Sequence, residues 1–157
     1  MTSTELFFEA IQTKNQEKLK ALINEDHKLV DAKDSRGFTP LIFATYFDNE
    51  QAAKSLIEHK AHIDAKDGTG NTALIGVCFK GNEKLATLLI DNGADINAVN
   101  NLGTTPLIFA TMYNKEAIVK LLLQKGADKT IADNEDKTAH NHAAEKGFSN
   151  LLPLLDF

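Results

Sequence analysis

Two kinds of apolar pattern alternate along this chain. Short segments of nearly continuous apolar character occur at 40–47 (PLIFATYF), 73–79 (ALIGVCF) and 106–113 (PLIFATMY). After a polar break, each is followed by a segment with apolar residues at helical spacing. Leu85, Leu88 and Leu89 fall at i, i+3 and i+4, and Ile118, Leu121 and Leu122 copy them one period later. That spacing predicts an amphipathic helix with one buried stripe. The first kind of segment predicts a short apolar helix, apolar almost all round because Ile42 and Phe43 flank the Leu41/Ala44 face.

The alternation has a fixed period. Threonines stand at 39, 72, 105 and 138, each step 33 residues, and Gly37, Gly70 and Gly103 keep the same step with Asp136 in the fourth slot. Leu56, Leu89, Leu122 and Leu155 repeat likewise, as do Ala61, Ala94 and Ala127, and Asp34, Asp67 and Asp133 with Asn100 completing that series. Each unit reads physically. Asp34-Ser-Arg-Gly37 and Asp67-Gly-Thr-Gly70 carry turn chemistry: a short Asp bonds nearby backbone N–H groups, and Gly accepts positive φ. The threonine sits where a helix N-cap belongs, its hydroxyl open to an orphan N–H of the first turn. Pro40 and Pro106 follow at the first helical position, where a missing N–H costs nothing. Breaks are expected at Asp48, Gly81, Asn114 and Gly147, and the second helix ends at the C-cap signals Asn92-Gly93 and Lys125-Gly126. One unit of turn, helix, break, helix and loop cannot bury its own apolar face, but several stacked units can.

Thr-Pro-Leu opening a helix, NGADINA closing the unit at 92–98, and a 33-residue period together resemble the ankyrin repeat. The resemblance implies an all-α architecture, a solenoid of stacked helix-turn-helix units with short β-hairpin or turn fingers at right angles to the helices. It covers nearly the whole chain as a single domain, 1–157. Three full repeats span 34–66, 67–99 and 100–132, between an N-terminal cap at 4–33 and a truncated C-terminal cap at 133–157. Ala10/Ala44 and Ile23/Ile57 are spaced by 34 but Asp31/Asp64 by 33, so the N-terminal cap carries one extra residue near Glu25 to His27. The family usually has His after Thr-Pro-Leu. Here Ile42, Ile75 and Ile108 fill that slot, which replaces a polar network between repeats with apolar packing. In the last unit Asn141 takes it, and Pro153 is tolerable only in the first turn of its helix.

Composition narrows the class of partner. The 157 residues are 43% hydrophobic and 25% charged, ordinary for a soluble folded protein, and the net charge of −5 argues against a nucleic-acid binder. The opening MTSTELFFEAIQ lacks the basic and apolar regions of a signal peptide, and no run approaches the ~18 apolar residues of a membrane span. The single cysteine, Cys78, allows no intrachain disulfide and suits a reducing compartment. The reading is a cytoplasmic protein, a monomer with self-association through its aromatic face left open, and with no membrane or nucleic-acid partner.

In the ankyrin family function is usually protein binding through the concave face, built from the fingertips and the ends of the first helices. Carried over by position, that face holds Tyr46 and Phe47, Phe79 and Lys80, and Met112 and Tyr113. From the fingers it takes Arg36, Phe38, Lys66, Asn71, Asn101, Leu102 and Lys137. Aromatic residues and Met are enriched at interface cores. A row of them on an exposed face is an apolar patch that wants a partner. Tyr46, Phe47, Phe79, Met112 and Tyr113 would form its apolar centre, and Arg36, Lys66, Lys80, Asn101 and Lys137 a polar rim. Periodicity alone does not separate exposed from packed at these positions.

Catalytic chemistry finds little support. Five histidines, His27, His59, His62, His140 and His142, read as solvated surface groups, and His140 and His142 are two apart on a helix, facing different sides. Structural zinc needs four converging ligands, and none are in register. Cys78 fills a slot of small residues with no His beside it. No phosphate-binding glycine motif occurs, and the finger aspartates recur because turns need them. Asn97 lies in a segment of a kind that can be hydroxylated in this family, but bracing of its loop is the favoured role. The expectation is a non-enzymatic module that binds another protein, with no cofactor and no metal. The alternative is an accessory or inhibitory subunit of an enzyme, using the same face. A metal or ligand site at the His140/His142 end stands behind both.

Overall fold

A computed structural model describes residues 1–156. The helices are α1 (Ser3–Gln12), α2 (Gln16–Glu25), a 3₁₀ helix (His27–Asp31), α3 (Pro40–Tyr46), α4 (Glu50–Glu58), α5 (Ala73–Lys80), α6 (Glu83–Asp91), α7 (Pro106–Met112), α8 (Glu116–Gln124), α9 (Ala139–Lys146) and α10 (Leu152–Leu155). Odd-numbered helices α1 to α9 pack side by side in chain order, and α2, α4, α6 and α8 do the same, giving two layers joined pair by pair. The core runs the length of the stack between them, through Leu41, Leu74, Ile75, Leu107 and Ile108 of the first layer and Leu56, Leu85, Leu89, Ile118 and Leu122 of the second. Ile42, Ile75 and Ile108 are all buried, so the slot after Thr-Pro-Leu does serve apolar packing.

Local chemistry starts and stops each helix as its residues predict. The hydroxyls of Thr39, Thr72, Thr105 and Thr138 accept from the backbone N–H of Ile42, Ile75, Ile108 and Asn141 at 3.2–3.3 Å. Asn141 returns the bond to Thr138 N–H at 2.9 Å, closing a capping box. The breaks at Asp48, Gly81, Asn114 and Gly147 are all left-handed, with φ of 52, 80, 51 and 71°. Directly after the break, Asn15, Asn49 and Asn82 cap the second helices through their side-chain oxygens. Asn49 is buried, and its amide also donates 2.9 Å to the Ile11 carbonyl of the preceding unit. Pro153 falls in the first turn of α10, where it is tolerated.

The fingers are turns, and no β-strand forms among the described residues. In each, one carboxylate or amide oxygen holds the turn. Asp34, Asp67, Asn100 and Asp133 accept the N–H groups two and four residues ahead at 2.9–3.1 Å. Two backbone bonds close each finger, Asp34 N to Phe38 O and Gly37 N to Asp34 O and their equivalents, and both stay within one turn, so no strand ladder forms. Adjacent fingers are stitched by backbone bonds, Asn101 N to Thr69 O and Asn134 N to Leu102 O. Gly70 and Gly103 are forced twice over. Both have positive φ, and a Cβ there would lie 2.5 Å from Asn101 Oδ1 or Asn134 Oδ1 of the next finger. On the other side of each unit, Asp31, Asp64 and Asn97 accept the N–H of His62, Asp95 and Asp128 at 2.8–2.9 Å. The side chain of Asn97 thus ties its loop to that of the next unit.

The two ends differ from the middle. At the N-terminal end α2 has ten residues where α4, α6 and α8 have nine, and the 3₁₀ helix capped by Asp26 follows it. At the C-terminal end His142 is buried, contrary to the expectation of a solvated group, because its Nε2 lies 2.7 Å from Asp133 Oδ2. The other oxygen of Asp133 holds the finger turn, so one carboxylate ties the last finger to α9. Partial burial pushes the Asp133 carboxyl up. The His142 hydrogen bond, the N–H groups of Lys137 and Glu135 and the imidazolium charge outweigh it and hold the carboxyl below the usual range.

Two outcomes follow from these contacts. Asn49→Ala removes a helix cap and leaves the Ile11 carbonyl without its buried donor, so urea unfolding should show a loss of about 2 kcal/mol. The lowered Asp133 carboxyl contributes stability that is complete above its unfolded pKa of about 3.9 and is lost as the pH falls through the lower folded value. Asp133→Asn should therefore flatten the acid limb of a plot of urea midpoint against pH. Some slope should remain from Asp34 and Asp128, whose carboxyls are also lowered.

Candidate functional site

The C-terminal turns of α3, α5 and α7 leave the core on one side of the stack, beside the fingers. Three aromatic residues emerge there: Tyr46, Phe79 and Tyr113, 60%, 46% and 47% exposed. Leu102, at the tip of the third finger, is 70% exposed. Val99, the residue just before that finger, is the other large apolar side chain exposed among the described residues away from the N-terminal Met1. No helix of the second layer carries one.

The remaining expected site residues divide by what they touch. Phe47 and Met112 are half-buried. The Phe47 ring packs 4.8 Å from Phe43 and 5.1 Å from Tyr46, and Met112 packs on the core. Neither is the exposed side chain that its slot suggests. Phe38 is half-buried beneath the Arg36 guanidinium, 4.6 Å from its ring centre. Lys80 reaches back over Tyr46, 5.2 Å from the ring centre, donating to the Tyr46 carbonyl at 2.9 Å and pairing with Asp48 at 3.4 Å. Asn71 accepts from Asn100 at 2.9 Å, Lys66 donates to the Val99 carbonyl at 2.7 Å, and Asn101 donates to the Gly68 carbonyl at 3.3 Å. Lys137 pairs with Glu145 at 3.1 Å and Glu135 at 3.7 Å. The Glu145 hydrogen bond is the first cause raising its pKa.

The aromatic side chains form two clusters. One holds Phe8, Phe43, Phe47 and Tyr46; the other holds Phe79, Phe109 and Tyr113, with Phe79 edge-on to Tyr113 at 4.8 Å. Between them lies a cavity of about 520 Å³, lined among others by Phe43, Phe47, Phe79, Phe109, Arg36 and Lys80. Gly76 forms part of its wall. In the 33-residue register Gly76 stands where the neighbouring units hold Phe43 and Phe109. Glycine is not demanded there by backbone or packing: Gly76 has no positive φ, and an added Cβ would meet nothing within 4 Å. The slot series 43, 76, 109 was present in the chain, but its weight depends on which face of the helix it occupies.

Rim electrostatics are set by the turns. At Asp34 desolvation raises the carboxyl. The N–H groups of Phe38 and Arg36 and the Arg36 guanidinium, 3.1 Å away, together lower it below the usual range. The Arg36 side chain stays largely in solvent while Asp34 is mostly covered. Asp67 spends one oxygen on the N–H groups of Thr69 and Asn71 and on the Thr69 hydroxyl.

Elsewhere the titratable groups do not converge. His140 bonds Asp156 at 2.9 Å and His142 bonds Asp133, so the two histidines face apart. His62 pairs with Asp31 at 2.9 Å, and the His27 and His59 rings lie 6.3 Å apart. Among the described residues no three His, Cys, Asp or Glu side chains are placed to share a metal. Cys78 is fully buried in apolar surroundings, which push its thiol pKa far up and leave it unreactive. No helix among these residues is long and apolar enough to cross a membrane.

A search of curated proteins finds no match to the chain. The family model described as ankyrin repeats (3 copies) matches residues 6–100 and again 74–155. With helix pairs stacked in two layers and fingers stitched side by side along nearly the same span, the chain belongs to the ankyrin-repeat family.

Proposed function

We propose that this protein is a non-enzymatic module that binds another protein through the face formed by its fingers and the ends of α3, α5 and α7. Ankyrin repeats are generally protein–protein interaction modules and generally not enzymes. The observation that carries the reading is segregation: the exposed large apolar side chains Tyr46, Phe79 and Tyr113 stand at the ends of first-layer helices and Val99 and Leu102 at the third finger, and no second-layer helix exposes one. Large aromatics on a rigid support make good anchors, since little side-chain entropy is lost when they are covered. Arg36, Phe38, Lys66, Asn71, Lys80, Asn101 and Lys137 border the patch, and Phe47 and Met112 support it from beneath. The whole chain acts as one domain, with three full repeats at 34–66, 67–99 and 100–132 between its two caps. Net charge of −5 disfavours nucleic acid as the partner, and the lone buried Cys78 suits the cytoplasm.

Recovery of the partner by cross-linking from source lysate, followed by titration with the purified pair, tests this. Replacing Tyr46, Phe79 and Tyr113 together with alanine should raise the Kd about 100-fold or more, with circular dichroism unchanged. An unchanged Kd would place the interface elsewhere on the molecule.

A further inference from the structure

The cavity over Gly76 goes further than a sticky face. Its walls are aromatic rings from two clusters, and the gap between them is the space that a phenylalanine fills in the units on either side. At about 520 Å³ it lies within the ~300–1,000 Å³ usual for ligand pockets. Neither φ nor close approach accounts for glycine at this point of α5, so the vacancy itself is the feature to explain. The charged groups among the lining residues are Arg36, Lys80 and Asp67. Arg36 projects into solvent, and Lys80 lies over the Tyr46 ring. One oxygen of the single carboxylate, Asp67, already accepts three hydrogen bonds. A second cavity continues from this one toward α1, sharing Gln12, Arg36 and Phe43, and adds Lys33 and Asp34 on the finger side and Glu5 and Glu9 on the helix side. Arg36 is paired with Asp34 and Lys80 with Asp48, so the charges at the mouth are balanced within the molecule and the rings set the character of the pocket.

We propose that the Gly76 cavity is a pocket for one aromatic side chain of the partner protein, a Phe, Tyr or Trp that fills the place left by the missing phenylalanine. This rests on the protein-binding reading and names the chemistry of its anchor. The ring would complete the interrupted series Phe43–Gly76–Phe109 from outside, meeting Phe79 and Phe109 on one flank and Phe43 and Phe47 on the other. Edge-to-face contacts of the kind already formed by Phe79 and Tyr113 would favour an aromatic over an aliphatic group.

Selection of short random-sequence phage-displayed peptides on the immobilised full chain tests the pocket directly. Peptides enriched on the wild type should share one Phe, Tyr or Trp. For a representative synthetic peptide, Gly76→Phe should weaken binding about 30-fold, the loss typical of a filled anchor pocket, and exchange of the peptide's aromatic residue for alanine should do the same. Gly76→Ala, which adds a methyl in open space, should leave binding within a few-fold. Both variants should melt no lower than the wild type, so a loss with Gly76→Phe would not reflect unfolding. Enrichment of no peptide sensitive to Gly76→Phe, or of peptides without an aromatic residue, overturns the pocket. Peptides indifferent to Gly76→Phe but lost with the Tyr46, Phe79 and Tyr113 triple variant overturn it while leaving the binding face intact. Peptides indifferent to both sets of changes overturn both.

Discussion

Helices α3, α5 and α7 have only seven or eight residues, little more than two turns, and a helix so short is marginal in water on its own. Each exists because it is sandwiched between the equivalent helices of its neighbours and backed by its own partner in the second layer. Leu41, Leu74 and Leu107 are all 1% exposed as a result. Everything else in the structure serves this lateral burial. Threonine caps start the helices in register, and left-handed residues stop them at a fixed length. The fingers and loop braces hold neighbouring units at the spacing that burial requires. The last turn of each helix lies at the edge of the stack, where Tyr46, Phe79 and Tyr113 are exposed while Phe47 and Met112 pack on the core.

What could be read in the chain was whatever acts locally. Thr39, Pro40 and Gly70 have one physical use each in their setting, and they stand where that use predicts. The Asn15, Asn49 and Asn82 caps act just as locally, but Lys115 interrupts that series without a side-chain cap, so it does not stand out as a repeat. Burial on a helix that is apolar nearly all round was not legible. Tyr46 and Phe47 are neighbours of similar character, and only the position of Phe43 decides that one packs and the other does not. His142 failed for the same reason in reverse. Its partner Asp133 is nine residues away, and it takes the folded cap to bring them together. Of the hairpin or turn that the family resemblance allowed, the fingers take the turn, because the two backbone bonds of each finger stay between residues three and four apart and do not build a ladder.

Gly76 shows how a repeat makes an omission meaningful. Glycine inside a helix is disfavoured by about 1 kcal/mol relative to alanine. In a chain without periodicity that would be one weak position among many. Here the units before and after supply the control. The same slot holds Phe43 and Phe109, each in an aromatic cluster, and the cluster is broken only in the middle unit. A cost in helix stability is concentrated at the centre of the exposed aromatic face, as expected where space is kept open for function.

The polar border of that face points the same way. Lys66, Lys80, Asn71, Asn101 and Lys137 are each tied to a neighbouring unit, finger or helix. Among the described residues the one buried side-chain polar atom without a hydrogen bond is Gln16 Oε1, on α2. Groups already committed within the molecule have little to gain from a partner, and exposed charge pairs contribute little in any case. Their bonds instead fix the outline into which a partner must fit. Affinity on such a surface has to come from apolar area, which is concentrated in Tyr46, Phe79 and Tyr113 and in the aromatic-lined gap beside Gly76. A frame with its polar groups satisfied, open at one apolar point, divides the work between shape held by hydrogen bonds and energy supplied by rings.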